Sequence, residues 1–356
     1  MPATSRSYSF SNIKGELIIR KAYELIGMPL SMVTAEQYNS ALNIINFILS
    51  DWTNSNVNLW TLKLEPVFLT PGQASYPLPG NIQKIFQVFL RGNVRQLNGT
   101  PQSNTANTYD GNGGGIAAYA FDGNPATRCR QEVQDGNISY DYGAGVTKQI
   151  SIIGIQSYVS NRPYSLVLEA SQDTINWFTV FTCPTLYPYK AHVISWFYVP
   201  DPIYARAYRI KETGGYTLDI EELYFNSISQ DTIMSEVSRY EYLSYPNKSQ
   251  IGRPTIYYVD YQRTPSLYIW QTAAPMYNLI MYSGQSSIET LESYTQGIDI
   301  PSYFYMPLIY GVAEMLAEQY APEKTEGLRA KYQESMTNAV INNTTEVPLT
   351  LEVYGD

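Results

Sequence analysis

The chain has 356 residues, of which 44% are hydrophobic and 15% are charged, and its formal net charge is −9. This length favours two or three domains over one, because single cores stop growing near ~250–300 residues. The acidic balance argues against a protein that grips nucleic acid, since neutralising phosphates requires lysine and arginine. The 33 tyrosines favour extensive, partly wet contact surfaces. The N-terminus lacks a basic and apolar leader, and no apolar stretch is long enough to span a membrane, so we expect synthesis in the cytoplasm.

Helical periodicity dominates the first fifty residues. Apolar side chains recur at helical spacing between residues 13 and 26, and Gly27 predicts the end of this first helix. Thr34 and Gln37 have the spacing of a capping box, which predicts a second helix with an apolar stripe ending at Trp52. After a Pro71-Gly72 turn, the apolar residues of 82–90 predict a strand.

The composition then changes. Residues 97–115 are rich in Asn, Thr and Gly and predict a linker into a new domain. From 117 to 225 the pattern is that of an all-β sandwich, with short strand-like runs separated by turns. These runs are 150–155, 165–170, 178–183, 193–199 and 207–210.

After residue 226 the earlier character returns. Strands are predicted at 256–259, 267–270 and 279–282, followed by a helix capped by Ser302 and another that begins near Pro322. We therefore predict an α+β protein: a discontinuous helical-bundle domain with a small β region, interrupted by an inserted all-β, jelly-roll-like sandwich. The predicted boundaries are 1–96, 97–226, 227–340 and an extended tail at 341–356. We call 97–226 the insert and the remainder the scaffold.

The insert resembles the discoidin, or coagulation factor 5/8 type C, family over about residues 107–226. The motifs that carry the resemblance occur in family order. They are Ala120-Phe121-Asp122-Gly123-Asn124-Pro125-Ala126-Thr127, Ile138-Ser139-Tyr140-Asp141-Tyr142-Gly143, Glu169-Ala170-Ser171-Gln172-Asp173, Asn176-Trp177-Phe178, Ala207-Tyr208-Arg209-Ile210 and Ile220-Glu221-Glu222-Leu223-Tyr224-Phe225. Arg128 departs from the family, which often has Trp after the Thr, and the family's terminal cysteine pair is missing. These departures leave the ligand open.

The loop that carries the first motif has oxygen chemistry suited to calcium. A turn built on Asp122 and Asn124 directs a carboxylate and backbone carbonyls toward one point, and Thr127 adds a hydroxyl or carbonyl. The resemblance implies a structural calcium between this loop and Glu222 near the last strand. The alternative is an Asx-turn in which Asp122 caps its own loop.

Many relatives of this family bind sugars through exposed aromatic side chains at one end of the sandwich. The candidate ligand-binding residues of the insert are Tyr158, Tyr187, Tyr189 and Arg162. The alternative for each aromatic ring is packing in the core. Trp177 is a further candidate ring, but it matches a family position that usually packs internally.

The scaffold resembles the head-to-tail adaptors of short-tailed bacteriophages over about residues 1–96 and 227–356. The motifs are the opening helix pair, the stretch from Pro71 to Pro79, Gly252-Arg253-Pro254 before Tyr257, and the final helix pair with its tail. This resemblance implies a virion protein in a homo-oligomeric ring of about twelve copies at the neck, assembled in the host cytoplasm. Its partners would be the portal, a tail nozzle or hub protein and tail fibres, with DNA passing through unbound and a host glycan on the insert. We expect a portal-docking tail with Leu349, Leu351, Val353 and Tyr354.

No constellation of catalytic residues is present, so we expect no enzyme. His192 is the only histidine, and we expect it to be a surface or packed residue; Glu221 and Glu222 should point to opposite faces of a strand. Glu314 and Glu318 should share one solvated helix face. Cys129 and Cys183 are either bridged or free. The alternatives are that the insert docks another tail protein, that the chain is a secreted carbohydrate-binding module on another scaffold, or that it is a cell-wall hydrolase.

Overall fold

Helices from both ends of the chain form one bundle. The computed structural model describes residues 13–55, 57, 59–103, 114–160, 163–185 and 187–343. Its α-helices are α1 (Gly15–Ile26), α2 (Ala35–Asn54), α3 (Arg239–Ser244), α4 (Tyr305–Tyr320) and α5 (Thr325–Asn343). Apolar faces of α1, α2, α4 and α5 enclose a core that contains Ile18, Ile45, Trp52, Phe304 and Val312. The two ends of the sequence therefore build a single hydrophobic unit.

The predicted helix ends are confirmed except at one point. Gly27 ends α1 in the left-handed region at φ 88°, where glycine has no Cβ penalty. Thr34 and Gln37 form the capping box of α2. Ser302 does not cap α4: a 3₁₀ turn, Ser302–Phe304, precedes the helix, which has no side-chain cap. Pro322 begins the 3₁₀ turn that leads into α5.

The strands divide between scaffold and insert. The scaffold strands are β1 (Ile13–Lys14), β2 (Leu62–Phe68), β3 (Ser75–Pro77), β4 (Ile82–Arg95), β19 (Ser235–Glu236), β20 (Ile251–Gly252), β21 (Ile256–Asp260), β22 (Ser266–Trp270), β23 (Thr272–Ala273), β24 (Leu279–Ser286) and β25 (Gly297–Ile298). The insert strands are β5 (Thr100–Ser103), β6 (Gly114–Gly115), β7 (Arg128–Gln134), β8 (Asn137–Asp141), β9 (Lys148–Gln149), β10 (Ile152–Ser157), β11 (Pro163–Tyr164), β12 (Leu166–Ser171), β13 (Phe178–Thr182), β14 (Tyr187–Pro188), β15 (Ile194–Tyr198), β16 (Tyr204–Ala205) and β17 (Ala207–Glu212). One strand, β18 (Thr217–Ile233), runs through both.

The insert and the scaffold share one sheet. The order β15-β10-β18-β4-β24-β2 crosses from one into the other, because β4 and β18 are both long and pair antiparallel over seven register positions from Asn226↔Arg95 to Ile233↔Phe89. The composition-based linker is also partly regular, since β5 pairs with β8. The insert is therefore joined to the scaffold along β18, whose first half pairs with β7 and β10 of the insert and whose second half pairs with β4 of the scaffold.

Each half of the shared sheet packs against a different second sheet. In the insert, the five-stranded sheet β13-β12-β17-β8-β5 covers a core that includes Ile153, Leu168, Ile210 and Leu223, which gives the predicted sandwich. In the scaffold, β19-β21-β22-β3 covers a second core beside β4 and β24. Phe68 stacks beside Trp196, with ring centroids 6.5 Å apart, and so closes the junction. The chain is α+β.

None of the helices in the described part of the chain is both long enough and apolar enough to span a bilayer.

Candidate functional site

The Asp122 loop is closed by its own side chains. Asp122 Oδ1 accepts a hydrogen bond from the Asn124 amide at 2.8 Å, and Asp122 Oδ2 lies 2.7 Å from Thr127 Oγ1. Thr127 Oγ1 also lies 2.8 Å from the Asn124 carbonyl oxygen. The loop thus has the Asx-turn that the sequence offered as an alternative to a metal site. Asp122 and Asn124 are exposed at the surface.

Glu222 brings a second carboxylate to this loop. Its side chain is 1% exposed, and its Oε2 lies 2.5 Å from the Arg95 guanidinium. Its Oε1 is buried without a hydrogen-bond partner. Burial raises the pKa of Glu222, Arg95 opposes that rise, and the neighbouring Asp122 carboxyl adds to it. Two carboxylates with one unsatisfied oxygen, beside carbonyl and hydroxyl oxygens, fit a calcium ion. The described residues contain no group of three or more His, Cys, Asp or Glu arranged for a metal.

An irregularity in β18 separates the roles of Glu221 and Glu222. Gln156 pairs with Glu222 and Ser157 pairs with Ile220, so Glu221 has no register partner on β10. The strict alternation of strand faces that we predicted for the two glutamates does not apply at such a bulge. Both side chains are buried, and each binds a different partner.

Glu221 holds the only histidine at the surface. Glu221 Oε1 lies 2.5 Å from His192 Nδ1, and Glu221 Oε2 accepts a hydrogen bond from Gln156 Nε2 at 2.9 Å. The imidazole side chain is 64% exposed, whereas the carboxylate beneath it is 1% exposed. His192 has a positive φ of 62°, an uncommon backbone conformation for a residue with a side chain. Its amide donates to the Ser157 carbonyl. The exposed ring is therefore fixed from below.

Tyr158 lies beside this imidazole on an equally rigid support. The two ring centroids are 5.7 Å apart and the rings are nearly perpendicular, at 85°. The Arg128 guanidinium carbon lies 3.8 Å from the centroid of Tyr158, and Arg128 Nε lies 3.0 Å from Asp219 Oδ1. The ion pair is almost fully buried, while 41% of Tyr158 remains exposed. We call Tyr158, His192, Glu221, Gln156 and Arg128 the Tyr158–His192 site.

The other predicted sugar-binding aromatics belong to the core. Tyr189 is completely buried, because its ring packs among Tyr164, Tyr187 and Phe197. The prediction that it binds ligand is therefore wrong in this structure. Tyr187 is half-buried against the same core and is likewise a packing residue. Arg162 lies outside the described residues.

Trp177 is half-buried rather than packed in the core. The central carbon of the Arg209 guanidinium lies 4.3 Å from the centroid of its indole ring.

Other sequence predictions have mixed outcomes. Leu349, Leu351, Val353 and Tyr354 lie outside the described residues. Glu314 and Glu318 do share a helix face, since both bind Arg329. Cys129 and Cys183 are both buried and do not form a disulfide. Burial raises the pKa of the Cys183 thiol to about 12, which makes that thiol unreactive at neutral pH.

Sequence reasoning missed most of the Tyr158–His192 site. Only Tyr158 was predicted to bind ligand, and His192 was expected only to be a surface or packed residue. The sequence signal was weak: a lone histidine between Ala191 and Val193, 29 residues from Glu221. The contact depends on the bulge in β18, which is set by strand pairing and has no local signature.

No family model and no curated protein matches the chain. Several solved structures are similar to part of it. A CBM62 from Clostridium thermocellum Xyl5A is 23% identical, with 38% of this chain and 98% of that chain covered and a TM-score of 0.32. A family 32 CBM from C. perfringens NanJ, in complex with galactose, is 18% identical, with coverages of 38% and 99% and a TM-score of 0.31. An F5/8 type C domain from Bacteroides fragilis is 14% identical, with coverages of 40% and 99% and a TM-score of 0.33.

Proposed function

We propose that the insert is a carbohydrate-binding module and that its ligand contacts the Tyr158–His192 site. The observation that carries this proposal is an exposed imidazole and an exposed phenol ring, each fixed by a buried charged partner. Glu221 fixes His192, and the ion pair of Arg128 with Asp219 supports Tyr158. Such pre-organisation lowers the entropy that a small, rigid-faced ligand must overcome on binding.

Sugar chemistry suits the two exposed rings. A pyranose has an apolar C–H face that packs on an aromatic ring, and hydroxyl groups that both donate and accept hydrogen bonds. Because Glu221 faces Nδ1 of His192, Nε2 is the nitrogen available to a ligand hydroxyl. The site is shallow and open, so we expect weak binding to a single sugar that is strengthened by repetition of the site in an assembly.

A glycan array with the full chain, followed by calorimetry on the sugars retained, tests this proposal. Tyr158→Ala and His192→Ala should each weaken binding about tenfold or more, a loss typical of removing one ring or hydrogen bond from a small site. Tyr204→Ala is the matched control, because Tyr204 is a 64% exposed tyrosine elsewhere in the insert. If the sugars found on the array bind equally well to all three variants, the ligand does not contact the Tyr158–His192 site. An array without hits, together with co-purification of a tail protein, would favour a docking role.

We also propose that the Asp122 loop holds a structural calcium ion. The unsatisfied Oε1 of Glu222 and the Asp122 carboxylate would supply its charged ligands, and Asn124 and Thr127 its neutral oxygens. The ion would bring a positive charge between the Asp122 carboxylate and Glu222, of which only Glu222 is paired with Arg95. It would tie the loop to β18 and would take no part in ligand chemistry.

For the scaffold we propose self-assembly as a neck adaptor of a tailed phage, as the sequence resemblance implies. The supporting observation is a set of strongly exposed apolar side chains on scaffold elements. Tyr240 is 87% exposed, Met276 73% and Leu243 63%. Tyr240 and Leu243 lie about one turn apart on α3, and contiguous exposed apolar side chains mark interaction surfaces. A ring of copies would repeat the sugar site around its rim and present an acidic protein to passing DNA.

Electron microscopy of the purified chain mixed with its cognate portal tests the scaffold proposal. Rings on one face of the portal, with peripheral knobs, are the expected result. Tyr240→Ser with Leu243→Ser should reduce ring formation without loss of the fold, because both side chains lie mainly in solvent in the monomer. A chain that stays monomeric with the portal at every salt concentration would rule out the adaptor role.

A further inference from the structure

Helices α2, α4 and α5 leave an apolar groove on the outside of the bundle. Its volume is about 320 Å³, and its lining is mainly apolar with two carboxylates: Phe47, Ile48 and Asp51 of α2, Gly311, Glu314 and Met315 of α4, and Tyr332 of α5. Phe47 is 65% exposed and Met315 is 42% exposed. Large apolar side chains around a concave surface favour a covering partner.

The groove continues along α5 toward the end of that helix. A second depression of about 380 Å³ shares Tyr332 and is lined further by Met336, Val340 and Ile341. Ile341, on the last turn of the helix, is 62% exposed. The two depressions together form an apolar path that leads from the bundle to the point where α5 ends.

The segment that leaves α5 at this point has a matching pattern. Residues 344–356 follow the helix directly, and Leu349, Leu351 and Val353 alternate with other residues, so one face of an extended strand would be apolar. From Ile341 back to Tyr332 the helix spans about 14 Å at 1.5 Å per residue. Thirteen extended residues reach about 43 Å, so the segment can return along α5 and pass Tyr332.

We propose that residues 344–356 pack into this groove of their own chain. The same chain is preferred over a second copy because a short tether gives a local concentration of about millimolar, well above that of free protein in solution. The leucines that we expect to dock on a portal would then be held against the bundle, and a partner would have to displace them. This inference rests on the groove and its position, and it is independent of the carbohydrate site.

A crosslinking experiment on the full chain tests it. Met315→Cys is paired with Leu351→Cys, and a short bismaleimide is added; the native Cys129 and Cys183 are buried. The control pairs Asn338→Cys with Leu351→Cys. Asn338 is exposed on α5, away from the groove-lining residues, and it is closer in sequence to the segment than Met315 is. Random encounters of the segment would therefore favour the control position.

The expected product is a crosslinked monomer that forms faster at Met315→Cys than at Asn338→Cys, at a rate independent of protein concentration. Adding Leu349→Asp should slow that reaction about fivefold or more, because an apolar groove disfavours a carboxylate. Crosslinked dimers whose yield rises with concentration would assign the groove to a second copy and overturn the proposal. Equal rates at the two positions would show that the segment does not occupy the groove, which would also overturn it.

Discussion

Glu221 and Glu222 are adjacent in sequence and equally buried, yet each contacts a different side chain. Glu221 Oε1 lies 2.5 Å from His192 Nδ1, and Glu222 Oε2 lies 2.5 Å from the Arg95 guanidinium. One glutamate therefore supports the exposed face of the insert, and the other joins the insert to the last residue of β4. The irregular pairing of β18 with β10 at this point is what allows two neighbouring carboxylates to serve separate partners.

Glu221→Gln should reverse the tautomer of His192. The carboxylate accepts a hydrogen bond from Nδ1–H and leaves Nε2 of the neutral ring as an acceptor, whereas a glutamine amide can donate to Nδ1 and so favour the tautomer with its proton on Nε2. Nitrogen NMR of the imidazole at about pH 8 will detect this, because His192 is the only histidine. Glu169→Gln, in the same insert, should leave the spectrum unchanged. An unaltered tautomer in Glu221→Gln would mean that the carboxylate does not control the ring.

Arg128→Ala should lower the free energy of unfolding by about 3 kcal/mol, because it leaves the Asp219 carboxylate buried without its cation. The Arg128 and Asp219 side chains are only 7% and 10% exposed. Arg329→Ala, which breaks two ion pairs of an arginine that is 52% exposed, is the control and should cost much less, because solvent screens exposed pairs. Urea titration of both variants gives the comparison, and similar losses would show that the Arg128 pair is no stronger than a surface pair.

Asp141 should make the insert sensitive to acid. The Arg206 guanidinium, at 2.7 Å, holds the pKa of Asp141 below its usual range. Burial raises this pKa in part, and a hydrogen bond from the Gly143 amide lowers it further. A depressed pKa in the folded state contributes stability above the unfolded value, near ~4, and that contribution is lost as the pH falls through the folded value. Asp141→Asn should therefore lower the melting temperature at neutral pH, and its difference from the wild type should shrink below about pH 4. A difference that stays constant down to strongly acidic pH would contradict this origin.

Calcium should raise the melting temperature of the full chain, and magnesium at the same concentration should not, because magnesium demands a tighter octahedral shell. Asp122→Asn is the discriminating variant. Its amide oxygen can still accept the hydrogen bond from the Asn124 amide, and its Nδ2 can donate to Thr127 Oγ1, but the variant removes one of the two charges offered to the ion. The calcium response should disappear in this variant while the fold is retained. If calcium has no effect on the wild type, the loop is an Asx-turn only.

Much of the fold follows from local pattern. The helices at both ends, the capping box of α2 and the strands β10, β12, β13, β15 and β17 lie where periodicity places them, within two residues. Long-range pairing is less visible in sequence. The seventeen residues of β18 were expected only as a short closing strand, since their second half is polar and its partner β4 lies more than a hundred residues away.

The site was less predictable than the fold. The sequence does not show whether an aromatic side chain is exposed, as Tyr158 is, or fully buried, as Tyr189 is. The difference arises from which loop turns back into the sandwich, and that is decided by packing across two sheets. Glu221 beneath His192 is a contact between residues 29 positions apart, joined by strand pairing alone.

The passage of β18 from the insert into the scaffold also determines how the insert responds to a mechanical load. Tension along this strand would have to shear its hydrogen bonds to β10 and to β4 together, whereas a flexible linker would simply swivel. A pull on a sugar held by the insert would therefore reach the helical bundle with little stretching or swivelling between them. Bound surface and scaffold would move as a stiff lever, and the angle of approach to that surface would be fixed by the shared sheet.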